Sequence, residues 1–233
     1  MVAHHFAPVT AFFPDGGTNF AVGGSISADL LQSEPEGFPA QIPTYLATTN
    51  GRAPANDLYF IWIGANDFAA AIDPSATVEN IRRGIDLLSR AGARTFIVIN
   101  LPDISLTPEV IAAGEATVQA AKQFVFTVNA ALEANILPYA WSHGLHVDLV
   151  DINSLFTDVV LNPREFGFTN SADAAFNPST GMVAPNPNDY VFWDGFHPTT
   201  KAHYIAAEFI YGTVALTPTF PATRSVPLAR LGW

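Results

Sequence analysis

Asp194 and His197, in the run Phe192-Trp193-Asp194-Gly195-Phe196-His197-Pro198-Thr199-Thr200, are spaced so that a short carboxylate can reach an imidazole across a tight turn. A carboxylate that accepts the Nδ1 proton fixes the ring's tautomer, aims Nε2 outward and stabilises the imidazolium formed when the ring takes a proton. That is the chemistry of a general base and its orienting acid. The same spacing also suits an Asp that caps a following helix beside a surface histidine, and the pair alone leaves both readings open.

Two further runs bear on the same chemistry. Gly64-Ala65-Asn66-Asp67 directly follows an apolar run ending at Ile63. An amide at the carboxyl end of a strand can donate to a developing oxyanion, a contribution of about 3 kcal/mol in acyl transfer, although Asn and Asp after Gly equally favour a plain turn. Asn19-Phe20-Ala21-Val22-Gly23-Gly24-Ser25 is an apolar stub ending in paired glycines. Glycines there let the backbone turn sharply and point an N–H at a ligand, or simply end a strand.

The elements that must position these residues are legible as alternating strands and helices. Leu58–Ile63 and Thr95–Asn100 are nearly continuous apolar runs, the pattern of parallel strands covered on both faces, and His146–Ile152 is a third, more alternating run. Between the first two, Val78, Ile81, Ile85 and Leu88 recur at helical spacing, with Ser75 as expected N-cap and Gly92 as expected stop. Pro108 opens a longer helical stretch to about Asn135, carrying Val118, Ala121, Val125, Val128 and Leu132 on one face. A last helix is expected from about Thr199 to Tyr211, and residues 162–190, rich in Pro and Asn, read as a long polar loop that carries function or a lid. The order implies an α/β fold, a three-layer α/β/α sandwich around a mainly parallel sheet, with sites at the carboxyl ends of the strands. Residues 1–214 read as one domain and 215–233 as an irregular tail.

Composition narrows the function classes. Lys and Arg total 10 against 21 Asp and Glu, a formal charge of −11 that repels polyphosphate and argues against nucleic acid as a partner. No apolar run approaches the roughly 18 residues of a spanning helix, so no transmembrane segment is expected. Without cysteine there is no thiolate zinc site and no Cys nucleophile, and compartment cannot be read from cysteine usage. The first residues lack the basic start and apolar stretch of a signal peptide, which leaves localisation open and a longer, secreted parent compatible with the sequence. His4 and His5 lack a supporting ligand cluster, so no metal is expected; Glu34 and Glu36 carry no acid/base signal, and His203 reads as a packing or hydrogen-bonding residue.

Taken in order, Asn-Phe-Ala-Val-Gly-Gly, Gly-Ala-Asn-Asp and Trp-Asp-Gly-Phe-His-Pro-Thr-Thr resemble the SGNH, or GDSL-type, hydrolase family over roughly residues 2–214. Asn100-Leu101-Pro102-Asp103, Thr107-Pro108, Asn162-Pro163 and Phe166-Gly167-Phe168 are similar to its bacterial lipase, phospholipase and esterase branch. The resemblance implies a flavodoxin-like sheet and a serine ester hydrolase in which His197 is the base and Asp194 its orienting acid. Gly24 and Asn66 would then contribute to the oxyanion hole. It implies no metal or cofactor, and as substrate a small-molecule or lipid ester.

The family's Gly-Asp-Ser-Leu motif is not in this chain. Val2 to Pro14 is similar to the segment that follows it, so the strand that bears the nucleophile is expected to be missing from the sheet, leaving strand edges that favour self-association. Ser25 is the one serine beside an expected oxyanion element and so the surrogate nucleophile the sequence offers, with Ser105 a poorer candidate. Two readings follow: an esterase or lipase that lacks its first motif here, and a catalytically inactive relative kept as a binding or interaction module.

Overall fold

Three apolar runs become the strands β1 (Leu58–Ile61), β2 (Thr95–Ile99) and β3 (His146–Val150), each one or two residues shorter than its expected span. In this computed structural model, which describes residues 17–28 and 37–215, they form a parallel sheet in the order β1-β2-β3. Tyr59 lies opposite Phe96, and Val98 opposite Leu149. Phe96, Ile97 and Val98 are all fully buried, as a central strand covered on both faces requires. β3 alternates more because it is an edge strand, and only Val150 in it is buried.

The described residues also form seven α-helices: α1 (Phe38–Thr48), α2 (Ala65–Ala69), α3 (Pro74–Arg90), α4 (Pro108–Ala112), α5 (Glu115–Ser142), α6 (Ile152–Leu161) and α7 (Thr200–Ala215). Val78, Ile81, Ile85 and Leu88 of α3 and Val125, Val128 and Leu132 of α5 cover one face of the sheet with Phe96 and Val98. Ile210 and Val214 of α7 cover the other with Ile97 and Ile99. The α/β/α sandwich expected from the order of elements is therefore present.

Several boundaries differ from the sequence reading, each for a local reason. Asp73, not Ser75, caps α3: its carboxylate accepts the Ser75 N–H at 2.8 Å and the Ser75 hydroxyl at 2.5 Å, which places Pro74 at the first helical position. The stretch from Pro108 is split at Gly114, whose φ of 98° ends α4 and starts α5, and α5 runs on to Ser142. Asn19–Gly23 is not a strand. Asn19 makes one isolated bridge, and its Oδ1 accepts the Ala21 N–H at 3.1 Å, a local turn that competes with extended pairing.

The expected polar loop at 162–190 contains two small sheets. β4 (Asn170–Ala174) runs parallel to β7 (Tyr190–Phe192), and β5 (Phe176–Asn177) pairs with β6 (Met182–Val183) in a hairpin. Phe168, Val191 and Phe192 bury themselves beneath Val159 and Val160 of α6, anchoring this polar stretch to the domain. The His4, His5, Glu34 and Glu36 expectations, the Val2–Pro14 segment and the tail from residue 216 lie outside the described residues.

Gly84 marks where α1 meets α3. A Cβ there would collide with the Phe38 ring and approach Ile42 Cδ1 at 3.1 Å. Alanine favours helix over glycine by about 1 kcal/mol, but overpacking costs about 1–3 kcal/mol. Gly84→Ala is expected to lower the urea midpoint with an unchanged m-value, and a raised midpoint would mean that α1 is loosely docked.

Candidate active site

β7 delivers the chain into the turn that carries the candidate base. The Trp193 N–H donates to the His197 carbonyl at 2.7 Å, closing the turn, and Thr199 returns to the strand through its N–H on the Val191 carbonyl at 2.8 Å. From the other side the Glu109 N–H at the start of α4 donates to the Gly195 carbonyl at 3.0 Å. A Cβ on Gly195 would collide with the Glu109 carboxylate, so the glycine permits this close approach. Thr199 then caps α7, donating its hydroxyl to the Tyr190 carbonyl at 2.8 Å and accepting the Ala202 N–H at 3.4 Å.

Within the turn Asp194 makes contacts of both kinds. Its Oδ1 accepts the N–H groups of Phe196 at 2.9 Å and His197 at 2.7 Å, and its two oxygens lie 3.0 and 2.8 Å from His197 Nδ1. The local cap and the carboxylate–imidazole pair are one arrangement here. The His197 side chain is 73% exposed and that of Asp194 28%. Burial pushes the Asp194 carboxyl up, but the two N–H donors and the imidazole outweigh it and hold the group below the usual carboxylate range.

Asn66 and Asp67 follow β1 on a sharp turn. Gly64 takes a φ of 117°, and a Cβ there would meet Thr77 Cγ2 at 2.9 Å. Asp67 is fully buried and accepts the Ser27 N–H and the Thr77 hydroxyl, each at 2.7 Å. Asn66 Nδ2 donates to the Ser25 carbonyl at 2.9 Å. Gly24, at a φ of 78°, turns the chain into Ser25, so Gly24, Ser25 and Asn66 form one cluster. Ser25 is 1% exposed, and its Oγ accepts from Gln41 Nε2 at 3.0 Å. Ser105 is also buried, its hydroxyl donating to Asp103 Oδ1 at 2.5 Å, whereas His203 stands exposed on the first turn of α7.

Asn66 sits at the carboxyl end of β1, and the His197 turn docks on α4, which follows the carboxyl end of β2. Both clusters thus belong to the same end of two adjacent strands. The loop leaving β2 is held by an amide lattice. Asn100 Nδ2 donates to Asp151 Oδ1 at 2.8 Å, and the Asn129 side chain both donates to and accepts from the Leu101 backbone, at 2.9 and 2.8 Å. A cleft of about 610 Å³ lies over this lattice between α5 and β3, and none of Gly24, Asn66, Asp194 or His197 lines it. Sequence reasoning missed the roles of Asp67, Gln41, Asn80 and Asn129.

The sequence profile of the GDSL-like Lipase/Acylhydrolase family matches residues 5–210. The chain belongs to that family. Among curated GDSL-family relatives and similar proteins, it is 26% identical to the thermolabile hemolysin of Vibrio parahaemolyticus, over 82% of this chain and 49% of that protein. It is also 26% identical to lipase 1 of Photorhabdus luminescens, over 83% and 42%, and to the phosphatidylcholine-sterol acyltransferase of Aeromonas hydrophila, over 66% and 59%. The chain thus spans less than half the length of the first two. Among the described residues of this GDSL-family chain, no helix is long and apolar enough to cross a membrane, and no three His, Asp or Glu side chains gather as metal ligands.

Two outcomes follow from this geometry. Asp67→Ala strands the buried Ser27 N–H, at a cost of about 1–3 kcal/mol, and leaves the Thr77 hydroxyl only the Asp73 carbonyl at 3.5 Å, so its urea midpoint should fall well below that of Asn66→Ala; equal midpoints would mean the Asp67 bonds contribute nothing. The depressed Asp194 carboxyl adds stability that is complete above the unfolded carboxylate pKa and is lost as pH falls through its folded value. The melting temperature of Asp194→Asn should therefore trail the native chain most at neutral pH and converge with it in acid, whereas a pH-independent gap would show that the charge is not what matters.

Proposed function

We propose that this chain carries the base, the orienting acid and part of the oxyanion hole of a carboxylic ester hydrolase. The observation that supports this most directly is the 2.8 Å contact between His197 Nδ1 and Asp194 Oδ2, in a ring whose side chain is largely exposed to an approaching substrate. The nucleophilic serine is to be supplied on a Gly-Asp-Ser-Leu strand beside β1, which forms an edge of the described sheet. Its Oγ attacks the acyl carbon while His197 Nε2 takes the proton, and the carbonyl oxygen becomes an oxyanion that accepts from the Gly24 N–H and the Asn66 amide. Collapse breaks the bond to the alcohol, which leaves with the proton from His197. Water then repeats the sequence and releases the acid.

A second reading, a non-catalytic binding module, draws its support from the Ser25 hydroxyl, which is buried and already bonded to Gln41. Labelling with a serine-reactive fluorophosphonate separates the two. An extended form bearing Gly-Asp-Ser-Leu should label on that serine and hydrolyse p-nitrophenyl butyrate. His197→Ala should cut its kcat/KM by a factor on the order of 10⁴ or more, and Asn66→Ala by about 10². Full activity without His197 would overturn the assignment of the base. Label on Ser25 of the chain as it stands, lost in His197→Ala, would make Ser25 the nucleophile.

A further inference from the structure

The hairpin β5–β6 has no part in the chemistry proposed above, yet it is bonded directly to the turn that presents His197. The Phe176 N–H donates to the Trp193 carbonyl at 2.7 Å, and the Trp193 N–H donates to the His197 carbonyl at 2.7 Å. The Phe176 and Trp193 rings stack at 5.5 Å with only 9° between their planes. Val183, opposite Phe176 in the hairpin, is 46% exposed, and Met182 on the other face is 70% exposed. Phe196, inside the His197 turn, is 48% exposed. Exposed apolar side chains thus lie both on the hairpin and in the turn to which it is bonded.

Two properties suit this hairpin to a low-dielectric surface. Residues 174–188 contain no Asp, Glu, Lys or Arg in a chain of formal charge −11, so no ion need be stripped of water as the hairpin approaches one. Four backbone N–H groups of its tip are also paired from within. Asn177 Oδ1 accepts the N–H groups of Ser179 and Thr180 at 2.9 and 3.3 Å, the Asn177 carbonyl accepts the Gly181 N–H at 2.9 Å, and the Met182 N–H donates to Thr180 Oγ1 at 3.3 Å. Burying these donors at an interface therefore leaves them paired. The chain's negative charge opposes an anionic surface and leaves a neutral or zwitterionic one accessible.

We propose that the β5–β6 hairpin, with Trp193 and Phe196, docks on a zwitterionic phospholipid surface and so brings the lipid's ester groups to His197. The proposal rests on the ester-hydrolase reading for its purpose but not for its test. The probe is co-sedimentation of the full chain with vesicles of ether-linked phosphatidylcholine, which bind without offering an ester to cleave. The native chain should sediment with them. Met182→Ser combined with Val183→Ser should reduce the partition coefficient about tenfold or more at an unchanged melting temperature, because both residues are exposed. Trp141→Ser, which removes the 87% exposed indole of α5, should sediment as the native chain does. No binding by the native chain, equal binding by the double variant, loss in Trp141→Ser, or tighter binding to phosphatidylserine vesicles would each overturn the proposal. Sedimentation of a Gly-Asp-Ser-Leu form that hydrolyses no ester would sink the catalytic reading and leave this one standing, while hydrolysis of a soluble ester without sedimentation would do the reverse.

Discussion

A carboxylate removed from water needs partners, and Asp67 finds them on two elements far apart in sequence, the Ser27 N–H and the Thr77 hydroxyl. Those bonds tie the end of β1 to the start of α3 and to the segment that contains Gly24 and Ser25. Asn66 is the residue before this anchor, and its amide reaches the Ser25 carbonyl from there. Ser27 is held a second time, its Oγ accepting from Asn80 Nδ2 at 3.1 Å. The left-handed turn at Gly64 is what permits it, because a side chain at that position would press on Thr77. The buried Asp67 bonds, with that of Asn80, thus fix the segment bearing Gly24 and the turn bearing Asn66 relative to the sheet.

The candidate base, His197, is held on different terms. Its turn is exposed, so its order comes from backbone bonds: to β7 through Val191, across the turn through Trp193, and to α4 through Glu109. A single carboxylate organises the interior of that turn by taking two N–H groups and the imidazole together. Since α4 follows the loop from β2, and that loop is pinned by Asn100, Asn129 and Asp151, the position of His197 is inherited from the carboxyl end of the central strand. Anchoring one cluster to β1 and the other to β2 makes their separation a property of the register between two hydrogen-bonded strands.

What could be read in the sequence follows the same physics. The strands and the α3 stripe were legible because burial on two faces, or on one helical face, imposes a period that survives in the residue types. The Asp194–His197 contact was legible because it spans three residues. Asp67 was not read as an anchor because its partners lie 40 and 10 residues away, and a turn-forming Asp looks the same whether exposed or buried. The small sheets in 162–190 were hidden for a related reason: neither β4 nor β5 buries a residue, so no apolar period marks them among their Asn and Pro neighbours. The α3 cap was misplaced by two residues because Asp73 and Ser75 are both good capping residues, and Pro74 decides between them.

The bond from Asn66 to Ser25 bears on how an oxyanion donor could be prepared. An amide nitrogen carries two N–H groups, and giving one to a fixed carbonyl sets the plane of the amide and therefore the direction of the other. Such a donor pays its ordering cost during folding rather than during reaction, which is the condition under which hydrogen bonds to a developing charge lower a barrier. The same bond also joins the two expected oxyanion elements, since the carbonyl it uses belongs to the residue after Gly24. A mutation that loosened Ser25 would thus disturb the Asn66 amide without touching it, and the buried Gln41 contact to Ser25 Oγ extends that dependence to α1. The serine nearest the expected oxyanion elements is, in this arrangement, a support for them.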